Sequence, residues 1–271
     1  MDSLNTVWLF TLLLFPVLIG SVSYLLQLVS KGGAVAVFLI ALGDYLGLGL
    51  RGILYLILIL YSTSLITIYG SRKGTTGRST KPGRSIRDFW RIMGGGGLGG
   101  FIGFLIFFRL LSVHMGAIGL VTAFGITSSD TWASSIGILS KRKPLMIIPP
   151  WHHVDGGVSG AISLLGETFG VIGGLTSLVF ADISGLLEGN NLIELLLVLA
   201  VIILGEKLDS VLGASIQGSY YCKRCNLTTD DAVHDCGEMA TIIRGSRLIT
   251  NSTVNLLTTI TGVIIALLLI R

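Results

Sequence analysis

LIELLLVLAVIILGEKLDSVLG, residues 192–213, runs from Leu195 to Gly205 without one charged or hydrogen-bonding side chain, and then places Glu206, Lys207 and Asp209 close together. A helix of this length rises roughly 33 Å, enough to cross a hydrocarbon core about 30 Å thick. In lipid only such a helix, or a closed barrel, satisfies every backbone N–H and C=O internally. The charged cluster at its end therefore marks a rim, where the span leaves the membrane.

Outward from this stretch the pattern repeats. Apolar runs are expected to form spans near 6–28, 33–50, 52–70, 94–111, 113–129, 158–181, 192–213 and 251–270. Residues 33–70 form one long apolar stretch broken by Gly43, Asp44, Gly47, Gly49 and Gly52, so seven and eight crossings are both compatible with it. Only 13% of the 271 residues are charged and 51% are hydrophobic, against roughly 25% charged in soluble chains. That excludes a soluble domain. The expected fold is all-α: a single polytopic integral membrane helical bundle over 1–271, with about 7–8 spans according to how 33–70 divides. The N-terminal run lacks a basic start and reads as a retained span, not a cleaved signal. The 37 glycines suit helices that approach closely where no hydrophobic drive separates them from lipid.

Charge orients the bundle. The loop 71–91 carries Arg72, Lys73, Arg78, Lys81, Arg84, Arg87 and Arg91 against Asp88 alone; 140–157 carries Lys141, Arg142 and Lys143; 214–249 carries Lys223, Arg224, Arg244 and Arg247. An even number of spans separates these loops, so all three are expected on one face, the cytoplasmic one by the positive-inside rule. Asn226-Leu-Thr and Asn251-Ser-Thr match the glycosylation pattern, which is without meaning on that face.

Six polar segments are candidates for chemistry. Asp130 lies at the end of a span, with Ala133 and Gly137 on a shared helical face where another backbone could approach; helix capping by Ser128, Ser129 and Asp130 is the plain alternative. Glu206 and Asp209 share a helical face and suit a hard cation such as Mg²⁺, or else Glu206 simply pairs with Lys207. Gly156, Gly157 and Ser159 are expected to open the sixth span, with free backbone N–H groups facing an anion; Glu167 is expected deeper in that span. Arg78, Lys81, Arg84 and Arg91, with Lys141 and Arg142, could clamp phosphates or contact anionic lipid. Gly95-x-Gly97-x-x-Gly100 fits a dinucleotide pattern only trivially, because no strand precedes it. Cys222-x-x-Cys225, followed by His234-x-Cys236, offers four ligands for a structural Zn²⁺ in a small knuckle-like loop within 214–249; stable disulfides are unusual on a cytoplasmic face. Asn251 and Asn255 share a face at the start of the last span and can reach another helix, a metal or a phosphate.

In order, Ser-Asp-Thr-Trp-Ala-Ser-x-x-Gly (129–137), Gly-Gly-Val-Ser (156–159), Leu-Asp-Ser-x-Leu-Gly-Ala-x-x-Gln (208–217) and Thr-Asn-x-x-Val-Asn (250–255) resemble the transmembrane protein 19 family, which includes phytyl-phosphate kinase. Asp130-x-x-Ala133-x-x-x-Gly137 more distantly resembles phytol kinase, dolichol kinase and CDP-diacylglycerol synthase. Ser135 stands where many relatives carry Glu. The resemblance implies Asp130 and Asp209 as Mg²⁺ ligands, with Gly156, Gly157 and Ser159 near phosphate. It implies a kinase that takes a phosphoryl group from CTP or ATP to a phytyl or geranylgeranyl monophosphate. Such an acceptor is already ionised and needs no general base; His114 is expected near the opposite face, and His152 and His153 lie in a loop. The implied partners are a nucleoside triphosphate, a polyprenyl phosphate and membrane lipids, with a homodimer compatible and no nucleic acid expected. Competing readings are a transporter or lipid flippase, a cytidylyltransferase acting on a lipid phosphate, and a non-catalytic membrane scaffold.

Overall fold

A computed structural model describes residues 2–73, 86–149, 152–154, 156–234 and 236–270, with side chains described from Leu12 onward. Seven helices make up most of it: α1 (Asp2–Leu25), α2 (Lys31–Lys73), α3 (Phe89–Phe107), α4 (Val113–Gly137), α5 (Leu164–Ile183), α6 (Leu192–Ser215) and α7 (Asn251–Leu269). Among the described residues, α2, α3, α5 and α7 are each long and apolar enough to cross a membrane.

The ambiguity at 33–70 resolves at one residue. Gly49 adopts φ 62°, ψ −142°, a backbone state that side-chain-bearing residues rarely reach. There α2 turns back on itself. Arg87 N–H donates to Leu28 O beside the start of α2, while its guanidinium donates to Thr67 Oγ1 (3.0 Å) in the second limb. Both ends of α2 therefore lie on one face, with Gly49 on the other. The described residues thus form eight helical limbs, and the described parts of the polar loops after α2, α4 and α6 share a face.

α4 packs against α2, α3, α5, α6 and α7. Its residues Ile118, Leu120, Val121, Thr122 and Ala123 are fully buried, as an all-round apolar helix at a bundle centre must be. The outer helices reverse the soluble pattern. Leu175, Val179, Leu196, Leu204, Ile264 and Leu268 are exposed, whereas Thr63, Ser64, Ser128, Ser177 and Thr258 are buried. Apolar side chains are free to face lipid, and buried hydroxyls bond to backbone: Ser129 Oγ donates to Gly170 O at 2.8 Å and Ser128 Oγ to Gly173 O at 3.2 Å. α4 runs straight through Ser128, Ser129 and Asp130, so these residues do not cap it; Ser112 does.

The polar face is not purely helical. β1 (Leu145–Met146) pairs with β2 (Ala161–Ile162), and β3 (Ser219–Cys222), β4 (Leu227–Thr229) and β5 (Thr241–Arg244) form an antiparallel sheet in the order β4-β3-β5. The sixth span begins later than 158, at Leu164 behind the cap Ser163. Gly156, Gly157 and Ser159 therefore belong to a loop and do not open a helix, and Glu167 sits in the first turn of α5 rather than deep in it.

α2 and α3 meet backbone to backbone. A methyl group on Gly103 would stand 2.1 Å from Gly43 O, and one on Gly43 would stand 2.1 Å from Gly100 O. Gly103→Ala should separate the helices and lower stability by about 1–3 kcal/mol. Thermal unfolding in detergent, with Gly97→Ala as control, reads this out, because a methyl on Gly97 meets only the flexible Met93 side chain. Equal melting of the two variants would contradict it.

Candidate functional site

Three helices deliver acids to one place. α4 brings Asp130, α6 brings Glu206 and Asp209, and the first turn of α5 brings Glu167. All four line a single cavity of about 190 Å³ on the polar face. Its remaining wall includes Ala133, Gly137, Gly157, Ser159, Gly160, Asp230 and Asn251. The α4–α5 contact that sets its floor is made of small residues: methyls on Gly137 and Gly166 would each lie 3.3 Å from the other residue's Cα, and one on Gly170 would lie 3.2 Å from Ala133 Cβ. The face predicted at Ala133 and Gly137 is thus where α5 approaches.

Asp130 lies within electrostatic reach of Glu206, Asp209 and Arg87. Asp209 and Glu206 are buried. Thr258 Oγ1 donates to Asp209 Oδ2 at 3.3 Å. With its amide turned to donate, Asn255 Nδ2 reaches the same oxygen at 3.1 Å and Asn251 O at 2.9 Å. One oxygen of Asp209 is thereby fixed by α7. Lys207 pairs with both Glu206 and Glu167 and ties α6 to α5. Arg87 is held by Thr63 (3.4 Å) and Thr67 (3.0 Å), and Thr67 Oγ1 also accepts from Ser135 Oγ at 3.4 Å. Burial, with the like charge of Arg91, lowers the Arg87 guanidinium to about 10, while Asp130 opposes that shift. It remains a cation at neutral pH, beside Asp130.

The other expected residues divide. Asn251 and Asn255 do reach the site. Gly157 and Ser159 line it, but Gly156 does not. Arg91 is half-exposed and faces Asp231 at 3.7 Å. Lys141 and Arg142 are exposed and do not line the cavity. Arg78, Lys81 and Arg84 lie outside the described residues. Sequence reasoning missed Arg87, Thr258, Asp230, Gln217 and Arg244 as site residues. Only contact across helices singles them out. Asp44 is apart from the cavity: it is fully buried in the first limb of α2, and neither carboxylate oxygen has a hydrogen-bond partner among the described residues.

The Cys/His segment forms a second centre. Ligand atoms of Cys222, Cys225, His234 and Cys236 all lie within 4.8 Å of one another. Cys222 ends β3, Cys225 is in the turn to β4, and His234 and Cys236 follow β4. Cys222 Sγ and Cys236 Sγ are 3.6 Å apart, far beyond a disulfide bond of about 2.05 Å and close to the edge of a tetrahedral thiolate site. His234 Nδ1 contacts Cys236 Sγ at 3.2 Å and, more than any other group, pulls that thiol down to about 6, while Cys225, through its own hydrogen bond with Cys236, is pushed up to about 11. A low-lying thiol among three further donors is the chemistry of a metal site.

The family model described as integral membrane protein DUF92 matches residues 14–263. The chain belongs to the DUF92 family. This is the family, that of transmembrane protein 19, which the four sequence motifs resemble. Among curated relatives, this DUF92 protein is similar to Protein PGR of Arabidopsis thaliana, 32% identical over 111 residues covering 38% of each chain. It is also similar to an uncharacterized membrane protein of Methanocaldococcus jannaschii, 34% identical over 117 residues covering 40% of this chain and 45% of that one. The similarity thus spans less than half the length of these relatives. No solved structure matches.

Lys207 holds two acids that otherwise repel. Lys207→Met should cost about 1–3 kcal/mol, the range for a buried group left without its partner. The double variant with Glu206→Gln should recover part of the loss. Thermal unfolding of both in detergent tests this, and a Lys207→Met protein that melts like the parent would refute it.

Proposed function

We propose that this DUF92 protein is a membrane phosphotransferase that moves the terminal phosphoryl group of a nucleoside triphosphate, CTP or ATP, to a polyprenyl monophosphate of the phytyl or geranylgeranyl kind. One observation carries this reading: Asp130 of α4 and the Glu206–Asp209 face of α6 meet in one cavity at the polar end of the bundle. At that level a prenyl tail stays among the lipid-facing helices while its phosphate and the nucleotide stay in water. We assign this face to the cytoplasm from the Lys and Arg excess of its loops.

The cavity wall is acidic, so phosphates enter only with a cation. Asp130, Asp209 and Glu206 are hard oxygen donors, and Asp209 is oriented by Thr258, leaving its other oxygen for a metal; the set fits Mg²⁺. When bound there, Mg²⁺ offsets the repulsion between the two phosphates and the carboxylates. Arg87 supplies the fixed positive charge next to Asp130, and its donors are directed by Thr63 and Thr67. In the transfer an acceptor phosphate oxygen forms a bond to the γ-phosphorus, the bond from that phosphorus to the β–γ bridging oxygen breaks, and a nucleoside diphosphate leaves. No proton has to be removed from an ionised acceptor, so the residues act by positioning and by charge. The Cys/His cluster we assign to Zn²⁺ with all four protein ligands present, a closed structural site.

Purified protein with Mg²⁺, labelled CTP or ATP and geranylgeranyl or phytyl monophosphate should yield labelled prenyl diphosphate. Asp130→Asn and Asp209→Asn should each lower kcat by at least about 10²–10³-fold while the protein still folds. Absence of transfer with every such pair would reject the kinase reading, and release of inorganic diphosphate would mark a cytidylyltransferase instead.

Elemental analysis of the purified chain should find about one zinc. Cys225→Ser should remove most of it. A metal-free parent protein would remove the four-ligand assignment.

A further inference from the structure

Ser159 is a wall residue of the cavity, and its hydroxyl is already committed. Its single proton goes to Asp230 Oδ2 at 3.1 Å, and it accepts a bond from Gln217 Nε2 at 2.7 Å. Arg244 Nη2 donates to the backbone oxygen of Ser159 at 2.9 Å and to Gly213 O at 3.2 Å. Bonded in this way, Ser159 has no donor left for a phosphate. It serves as the attachment point of the wall. All three of its partners come from the segment after α6. Gln217 is buried at the end of that helix, Asp230 follows β4 and Arg244 ends β5.

The wall itself is a turn that needs holding. Gly157 and Gly160 have φ of 82° and 79°, and a methyl on Gly160 would lie 2.4 Å from Ala214 Cβ of α6. Gly213, next to Ala214, stands one helical turn beyond Asp209. The position of this turn therefore fixes the mouth of the cavity relative to the acids of α6.

Asp230 is in turn bracketed by metal ligands. Cys222 and Cys225 precede it, His234 and Cys236 follow it, and their four ligand atoms gather within 4.8 Å. An ion there closes a loop on 226–233, the segment that carries Asp230 to Ser159 and Asp231 to Arg91. We propose that Asp230 and Gln217 are positioning residues of the cavity, acting through Ser159, and that metal occupancy of the Cys/His cluster sets where Asp230 stands. The metal centre is then coupled to the cavity across a hydrogen bond and does more than stabilise its own loop. What is positioned for rests on the phosphotransferase reading; the coupling itself does not.

Backbone hydrogen exchange of residues 156–163 tests the coupling without any assay of activity. It is measured on the full chain in lipid nanodiscs, zinc-loaded and after chelation, for the parent and Asp230→Asn. In the parent, chelation should speed exchange over 156–163. In Asp230→Asn, exchange there should already be fast with zinc bound, and chelation should add little. Unchanged protection after chelation, or an Asp230→Asn protein that responds as the parent does, would overturn the coupling. A chain that loses its helices on chelation leaves the comparison to zinc-loaded Asp230→Asn against the parent, where equal exchange overturns it. For the positioning role, Asp230→Asn should lower kcat about 10–100-fold with zinc content intact and the nucleotide KM near that of the parent. An unchanged kcat in a variant whose 156–163 exchange has risen would overturn that role alone. A parent without transferase activity would end the kinase reading and leave the exchange result standing.

Discussion

Carboxylates from separate helices that meet at the edge of a membrane repel one another in a medium that screens poorly. The arrangement around the cavity answers that repulsion. Lys207 bridges Glu206 and Glu167, Arg87 stands beside Asp130, and Thr258 donates to Asp209. Arg244 lies within electrostatic reach of Asp230, and Asp130, Glu206 and Asp209 face the cavity from α4 and α6. In the transferase proposed above, these carboxylates would hold the cation that brings phosphates to this rim. The helices tolerate the strain because their packing is stiff elsewhere. α2 meets α3 with glycine backbones in contact, and α5 lies on α4 through Ser128, Ser129, Ala133 and Gly137. Such small-residue contacts replace the hydrophobic drive that lipid cannot supply.

The spans were legible because length and apolarity are local properties. Residues 192–213 and 251–270 announce themselves, and α6 and α7 occupy them. The start of α5 was not legible in the same way. Gly160, Ala161 and Ile162 are small or apolar and extend the hydrophobic run, yet Gly160 turns with positive φ and Ala161–Ile162 pairs with Leu145–Met146. Apolarity does not separate a buried strand from a span of helix. That shift carries Ser159 and Glu167 to new places: Ser159 into a hydrogen-bonded loop, and Glu167 up to the rim. The sheet after α6 shows the same limit. Ser219-Tyr-Tyr-Cys has residues that favour strands, but the Cys-x-x-Cys spacing drew the reading toward ligands and away from the strand that presents them.

The site was legible in its acids and not in its cations. Asp130 and Asp209 stand out because a charge near lipid is rare and costly. Arg87 did not stand out, being one of seven basic residues between 71 and 91. What distinguishes it is that the chain passes between the start and end of α2 at that residue, which no spacing records. Arg91, which composition also offers as a phosphate clamp, differs from it in facing solvent, turned toward Asp231.

Depth discriminates between the broad functional classes. A transporter requires polar groups near the midplane that can be reached from both sides. Asp44, by contrast, is fully buried away from the cavity, enclosed by the glycine contact of α2 with α3 that brings Gly103 against the Asp44 backbone N–H. Five acids lie instead on a cavity open to the polar face. A substrate whose charge must meet water while its hydrocarbon remains in the bilayer is handled where those two media touch. An acid cluster at that boundary is what the proposed transferase requires for chemistry on a lipid headgroup, and what a carrier of solutes through the bundle does not.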